Sequence, residues 1–199
     1  MLHIVKEPFR PVPNAVLRAM FSARKSVFVD LLKWNVPVLD KRFEVDQFDD
    51  EHARYVILSE RDGSHLASAR LLPTTRPHIL ASFYAALCDE APPQGADIFE
   101  ITRFCLDRNL RAAERRMVRN RLVTALAEHA LENRIGRYVA VAELSWYEQI
   151  LAFGWQCRPL GPPRLLDRSM LIALEIEIAG DTLARLAEAG IYDQAPLAA

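Results

Sequence analysis

Three groups of residues in this 199-residue chain have types and spacings suited to chemistry. In the first, Arg24 and Phe28 stand four apart and would share one helix face. Trp34 and the acids Asp46 and Asp49 follow. Aromatic faces beside carboxylates can form a pocket that stacks a cation or a purine and holds an amine. The plainer alternative is a helix arginine paired with a loop acid over two core aromatics, and spacing alone favours it. In the second, Arg70 stands mid-strand between Ala69 and Leu71 in the run Ser68 to Thr75. Facing inward it needs a partner, which Asp46 or Asp49 could supply; taken alone, a solvent-facing arginine is the better reading. The third is Phe99-Glu100-Ile101-Thr102-Arg103-Phe104. Strand alternation puts Glu100 and Thr102 on one side, Ile101 and Arg103 on the other. Burial of a carboxylate at such a strand centre raises its pKa and makes it a better base near neutral pH. The alternative is a solvated outer face with Arg103 as its salt-bridge partner. No Ser-His-Asp, Cys-His or HExxH arrangement occurs, and the five histidines are scattered, His129 reading as structural.

The elements that must position these groups follow from periodicity. Leu2 to Glu7 reads as a first strand. Asn14 can cap a helix from Ala15 to about Lys33, with Val16, Met20, Ala23, Val27 and Leu31 on its inner face. Trp34 to Asp50 reads as a long irregular connection carrying Asp40, Glu44, Asp46 and Asp49, and loops of that length in a compact domain are more often functional than idle. A hairpin spans Ala53–Glu60 and His65–Leu72 around Asp62-Gly63. A short helix over Ile79–Cys88 and a strand over Asp97–Leu106 come next. The helix from about Arg111 to Asn133 turns Val118, Leu122, Ala125, Leu126 and Ala130 inward, with Gly136 just past its end. A strand over Arg137–Leu144, a helix over Ser145–Phe153, one long alternating strand from Leu166 to Ile178 and a helix from Asp181 to about Ala189 complete the order. Early hairpin and later β-α-β units predict an α/β fold: a mixed central sheet flanked by helices on both faces.

Composition narrows the class. Apolar residues make up 51% and charged residues 26%, as in ordinary globular domains. The balance of 25 basic against 26 acidic side chains gives −1, which does not suggest a nucleic-acid binder. Cys88, Cys105 and Cys157 are odd in number and widely spaced, against a disulfide framework or a thiolate zinc site and in keeping with a reducing cytosol. No stretch approaches the ~18 apolar residues of a membrane span. Neither GxGxxG nor GxxxxGK[ST] is present. The expectation is one domain over residues 1–199, cytoplasmic, with no metal and no nucleic-acid or membrane partner.

Taken in order, residues 24–36 (RKSVFVDLLKWNV), 44–49 (EVDQFD), 69–77 (ARLLPTTRP) and 99–104 (FEITRF), with GPPR at 161–164, resemble the LuxI-type acyl-homoserine lactone synthases, the autoinducer synthases. The likeness runs from about Met1 to Pro163. It implies a fold like that of the GCN5-type N-acetyltransferases and an acyltransferase of quorum-sensing signal synthesis. In that reaction the amine of S-adenosylmethionine takes an acyl chain from acyl carrier protein or acyl-coenzyme A. The methionine carboxylate then closes the lactone and releases methylthioadenosine. S-adenosylmethionine is a substrate, and no prosthetic group is implied.

The family's invariant positions fall on Arg24, Phe28, Trp34, Asp46, Asp49, Arg70, Glu100 and Arg103. The resemblance implies a catalytic set of Glu100 (base, through a water), Arg103 and Asp46. Arg24, Phe28, Trp34, Asp46 and Arg103 would bind S-adenosylmethionine, with Arg24 and Arg103 holding its carboxylate or ordering the loop. Asp49 with Arg70 would be a structural ion pair. Strands near Ile101–Leu106 and Val139–Ala142 would splay to admit pantetheine, backbone amides there polarising the thioester carbonyl. Phe83, Leu122, Leu126, Val141, Ala142, Leu144, Trp146, Ile150 and Leu151 are candidates for the acyl pocket, and most would serve equally as plain core. Ala142, where 3-oxo producers often carry a hydroxyl, points to an unsubstituted chain. Arg111, Arg115, Arg116 and Arg119 belong to a basic run (with Arg108 and Arg121) that suits donor docking or, more plainly, a solvated helix face. The competing expectations are an acetyl-coenzyme A N-acetyltransferase, against which Arg108–Ala113 lacks the glycine-rich phosphate turn, and an inactive ligand-binding relative.

Overall fold

The structure, a computed structural model, describes residues 1–6, 14–166 and 168–198. Ten strands and five helices follow one another: β1 (Leu2–Lys6), α1 (Asn14–Arg24), β2 (Val38–Leu39), β3 (Phe43–Glu44), β4 (Arg54–Ser59), β5 (His65–Pro73), α2 (Ile79–Phe83), β6 (Ile98–Leu106), α3 (Ala112–Glu132), β7 (Arg137–Glu143), α4 (Leu144–Leu151), β8 (Gln156–Pro159), β9 (Arg164–Leu166), β10 (Ser169–Glu177) and α5 (Thr182–Glu188). They form two compact units. One comprises Met1–Leu71, Arg103–Ala125 and Asp193–Ala199, and the other Leu72–Thr102 and Leu126–Tyr192. Strands β5 and β6 and helix α3 run from one unit into the other.

In the first unit β1 pairs antiparallel with β4 from Leu2↔Leu58 to Lys6↔Arg54, and β4 pairs antiparallel with β5. The Asp62-Gly63 turn joins β4 to β5, with Gly63 in the left-handed region at φ 87°. Tyr55, Val56, Ile57, Ala67 and Leu71 are fully buried, so both faces of this hairpin are covered. In the second unit β6 pairs parallel with β7, and β7 antiparallel with β10. Parallel and antiparallel pairing in one chain is what the early hairpin and later β-α-β units require. Here Leu80, Leu87, Ile98, Val139 and Ala173 make the core, with Tyr84, Cys88 and Val141 packed against it. The predicted inner stripe of α3 is buried throughout, from Val118 to Ala130.

Four elements differ from expectation, each for a local reason. The first helix stops at Arg24 and continues as a π-helical stretch over Lys25–Leu31. The wider turn sets neighbouring residues at a smaller angle, so Val27 and Phe28 both point inward against Cys105. The irregular connection contains the short β2–β3 ribbon, paired Val38↔Glu44 and Leu39↔Phe43. The single last strand is two, β9 folding back on β10 through Ser169↔Leu166. Alternation carries on through that turn, which hides it; Arg168, at φ 74°, makes the reversal. β8 goes unseen in the sequence because it is short, mostly exposed and followed by Gly161-Pro162-Pro163. Helix α3 closes through Arg134 in the left-handed region and an Ile135 N–H donated to the Ala130 carbonyl, not through Gly136. Glu7 of the first strand, the Asn14 side-chain cap and Asp167 lie outside the described residues.

Candidate active site

Three arginines and three carboxylates of the first unit form one buried network. Arg24 ends α1, 1% exposed. Its Nη1 and Nη2 donate to the two oxygens of Asp49 at 2.7 and 2.8 Å, and its Nε donates to Glu44. Arg70, mid-strand in β5 and also 1% exposed, reaches Asp46 with two bonds of 2.6 and 3.0 Å, and Asp49 at 2.8 Å. Arg103, on β6, donates to Glu44 from Nε and Nη2 and to Asp46 from Nη2 at 2.7 Å. The Tyr55 hydroxyl donates to Asp49 at 2.8 Å. Backbone N–H groups of Phe48 and Asp46 donate to Asp46 and Asp49.

The formal charges cancel, which is what makes so many buried ions tolerable: each charge taken from water meets opposite charge and directed hydrogen bonds. Burial alone would raise the pKa of Asp46. The Arg70 hydrogen bonds and the Arg70 and Arg103 charges outweigh it and hold the group below the ordinary carboxylate value. Burial works on Asp49 the same way, and Arg24 and Arg70 hold it well below that value. Burial and the Asp49 charge push the Tyr55 phenol far up, so it stays a donor.

Over this network lie two aromatics positioned by the π-helical stretch. The Leu32 N–H bonds to the Val27 carbonyl and the Trp34 N–H to the Phe28 carbonyl. Phe28 and Trp34 stack with centroids 4.7 Å apart and 17° between planes. The Arg103 guanidinium carbon lies 5.7 Å from the Phe28 centroid and 5.9 Å from that of Trp34, within reach of both ring faces. Phe28 is buried, Trp34 is 41% exposed, and the Arg103 side chain is 10% exposed against 1% for Arg24 and 0% for Arg70. Arg103 is therefore the network cation open to solvent. It also sits at φ 51°, a left-handed conformation inside a strand, a strain of about 1–3 kcal/mol for a non-glycine residue. That kink resets side-chain direction, so the face expected to be shared by Ile101 and Arg103 does not follow from simple alternation.

In the second unit Glu100 is fully buried on β6. Its two oxygens accept the Ile79 N–H at 2.7 Å and the Leu80 N–H at 2.9 Å, the first amides of α2. The solvated outer-face alternative for Glu100 is thus overturned, and Arg103 finds its carboxylates in Glu44 and Asp46. The β6–β7 register runs from Ile98↔Arg137 to Glu100↔Val139, while β7 stays paired with β10 as far as Leu171↔Glu143.

The remaining expected residues are dispersed in environment. Leu122 and Leu126 are fully buried core of α3, and Ala142 and Ile150 are buried. Val141 packs partly buried on the second unit's core. Leu144 and Trp146 are half-buried, with Trp146 edge-on to Phe153. Phe83 is 62% and Leu151 46% exposed, so neither is an enclosed wall in this structure. Arg111, Arg115 and Arg116 are exposed on α3 or just before it, and Arg119 is half-buried and donates to Asn120. Among the described residues no cluster could hold a metal ion.

Arg70 meets both of the acids expected as its partner, Asp46 and Asp49, and Asp49 pairs with Arg24 as well. Arg24 is enclosed by Glu44 and Asp49, so its contacts match loop ordering rather than the holding of a substrate carboxylate. Glu44, fully buried between Arg24 and Arg103, was missed as a site residue. Its signal was the spacing 44, 46, 49: three acids within six residues facing arginines at 24, 70 and 103.

The Autoinducer synthase family model matches residues 10–186. An acyl-homoserine-lactone synthase from Ralstonia nicotianae is 29% identical over 180 residues, covering 88% of each chain. The CoA-dependent acyl-homoserine lactone synthase MesI superposes with a TM-score of 0.86 at 28% identity, over 98% of this chain and 97% of that one. BjaI, a CoA-dependent synthase solved with SAM and isopentyl-CoA, gives 0.87 at 27% identity, over 100% and 95%. With a family match across most of its length and a fold shared end to end with solved synthases, the chain belongs to the autoinducer synthase family.

Proposed function

We propose that this chain makes an N-acyl-homoserine lactone from S-adenosylmethionine and an acyl thioester. The observation that carries the reading is the Arg103 guanidinium, the most exposed of the three network arginines at 10%, beneath stacked Phe28 and Trp34 in a network of balanced charge. A substrate bearing a carboxylate and a cationic sulfonium beside an adenine matches it: carboxylate to Arg103, cation and purine to the aromatic faces. Arg24, Arg70, Glu44, Asp46 and Asp49 act as positioning residues that fix Arg103 and the ribbon. Asp46 accepts Arg70, Arg103 and the Phe48 amide, so it serves this pocket through Arg103.

Glu100 is the base. It takes a proton from the substrate ammonium through a water, and the freed amine attacks the thioester carbonyl. The tetrahedral intermediate collapses to an amide as the carbon–sulfur bond breaks, and the remaining excess proton on nitrogen passes to the departing thiolate, which leaves as the thiol. The methionine carboxylate then attacks its own Cγ; the carbon–sulfur bond breaks, methylthioadenosine departs neutral and the lactone closes. Holding carboxylate and Cγ together is the main demand of that second step. The acyl chain would lie against partly buried Val141, Leu144 and Trp146, and Ala142, without a hydroxyl, suits an unsubstituted chain. Exposed Arg111, Arg115 and Arg116, with Arg119, suit the phosphates of coenzyme A or the acids of a carrier protein. We take the whole chain as one functional domain acting in the cytoplasm, where both substrates are made.

The test is direct. Purified protein given S-adenosylmethionine and a panel of acyl-coenzyme A and acyl-carrier donors should release methylthioadenosine and a lactone whose mass fixes the acyl group. Absence of both products across the panel overturns the reading. Reversing Arg115 and Arg116 to Glu should raise KM for the donor and leave that for S-adenosylmethionine unchanged; equal effects would remove the docking role.

A further inference from the structure

A second binding surface lies in the first unit, built from other side chains. A groove of about 420 Å³ runs between α1, which supplies Arg18, Ala19 and Ser22, and the β2–β3 ribbon, which supplies Asp40, Arg42 and Phe43. That volume falls in the range of ~300–1,000 Å³ typical of small-molecule sites. Arg18 and Ser22 stand four apart and share one face of α1, with small Ala19 beside them. The Arg42 guanidinium lies 5.5 Å over the Phe43 ring. Among the described residues neither Arg18 nor Arg42 meets a carboxylate, unlike Arg24 and Arg70 of the same unit.

The ribbon tip is unusual in a way that favours a retained function. Arg42 donates its N–H to the Leu39 carbonyl, closing a four-residue turn whose central residues, Asp40 (φ 50°) and Lys41 (φ 56°), are both left-handed. Glycine or asparagine meets that geometry most easily. A lysine there is strained, and such an outlier points toward a role for the side chains presented.

We propose that this groove binds a guanine nucleotide. Arg18, with the Ser22 hydroxyl, suits phosphate oxygens. The Phe43–Arg42 wall offers a stacking surface to a purine. Asp40 decides the class: its carboxylate repels a bare anion, so the ligand must also bring hydrogen-bond donors. Guanine offers two adjacent N–H groups to a carboxylate, where adenine offers only its amino group. The two walls of the groove are the elements that carry Arg24 and Glu44, so occupancy also changes affinity for S-adenosylmethionine. This second half rests on the proposed function; the first does not.

Isothermal titration of the full chain with GDP, ADP and inorganic pyrophosphate, without other substrate, tests the site. Expected is one GDP per chain with a sub-millimolar Kd. ADP and pyrophosphate should each bind at least ~10-fold more weakly, a difference of about 1.4 kcal/mol. R18A/R42A should lose at least ~10-fold in GDP affinity while keeping its melting temperature, and D40A should bring GDP and ADP to parity. No GDP binding at millimolar concentration, pyrophosphate or ADP as tight as GDP, or an unaffected R18A/R42A overturns the proposal. The coupling is read separately, as a shift of at least ~2-fold in the Kd for S-adenosylmethionine at saturating GDP, matched by the reciprocal shift. No shift removes the coupling and leaves the site.

Discussion

The chain buries carboxylates in two ways. In the first unit Glu44, Asp46 and Asp49 are held by guanidinium groups, each charge neutralised by another. In the second unit Glu100 is held by two peptide N–H groups at the start of α2. An arginine-paired carboxylate is fixed as an anion and makes a poor base; its removal leaves a buried cation uncompensated, so its worth is structural. Glu100 is oriented by the first two peptide N–H groups of α2, and its removal leaves those buried donors to satisfy. On the proposed function the difference divides labour: the arginine-paired acids order the loop around Arg103, and Glu100 exchanges the proton.

Four experiments test that contrast. The largest effect is expected from Glu100→Gln, which keeps side-chain shape. Methylthioadenosine release should fall by ~10²-fold or more, the usual contribution of a general base, while the fold is kept with a stability loss of about 1–3 kcal/mol because the new amide faces one of the two N–H donors. Near-wild-type turnover would put Glu100 among the structural acids.

Asp49→Ala should do the reverse. It strands Arg24 and Arg70 and should destabilise the fold by about 3–5 kcal/mol. For a chain of this size that lowers Tm by on the order of 10 °C. Denaturant unfolding checks it; a loss of activity without a loss of stability would contradict the division.

Arg103→Lys preserves charge but loses the fork that reaches Glu44 and Asp46 together. KM for S-adenosylmethionine should rise by roughly 10-fold with KM for the acyl donor unmoved. Equal rises in both would remove Arg103 from the carboxylate-binding role.

Acid titration gives the smallest and most graded signal. The folded-state pKa values of Asp46 and Asp49 lie below 3.8, their ordinary value. The unfolded chain therefore binds more protons in that range, and their stabilisation is complete above pH 3.8 and lost as pH falls beyond it. Burial lowers the His65 pKa from 6.5 to about 4, so that neutral ring contributes stability above pH 6.5 that is lost between 6.5 and 4. Stability should thus decline in two steps on acidification. His65→Gln should flatten the first and Asp49→Asn the second; a single step unaffected by either would refute the assignment.

Much of this was legible in the residues themselves. The hairpin around Asp62-Gly63, the inner stripe of α3 and the strand bearing Glu100 rest on local pattern, and the structure keeps them. The ordered motifs at 24–36, 44–49, 69–77 and 99–104 named the family before any geometry was known. Beyond the Asp49–Arg70 pair that the resemblance implied, sequence could not supply pairing. Arg70 read alone as solvent-facing, because a mid-strand arginine is common outside and costly inside; only the arrival of Asp46 and Asp49 makes the inward position possible. Glu44 escaped notice for the same reason, since a carboxylate's role depends on which cation folding brings to it. The π-helical widening at Lys25–Leu31 and the left-handed Arg103 are likewise invisible to periodicity, because long-range packing and ion pairs hold each in a conformation its own residues would not choose. Local pattern determines elements and their faces through short-range sterics and burial. Charge pairing is a long-range matter, and only folding brings Glu44, Asp46 and Asp49 to their arginines and Glu100 to the first amides of α2.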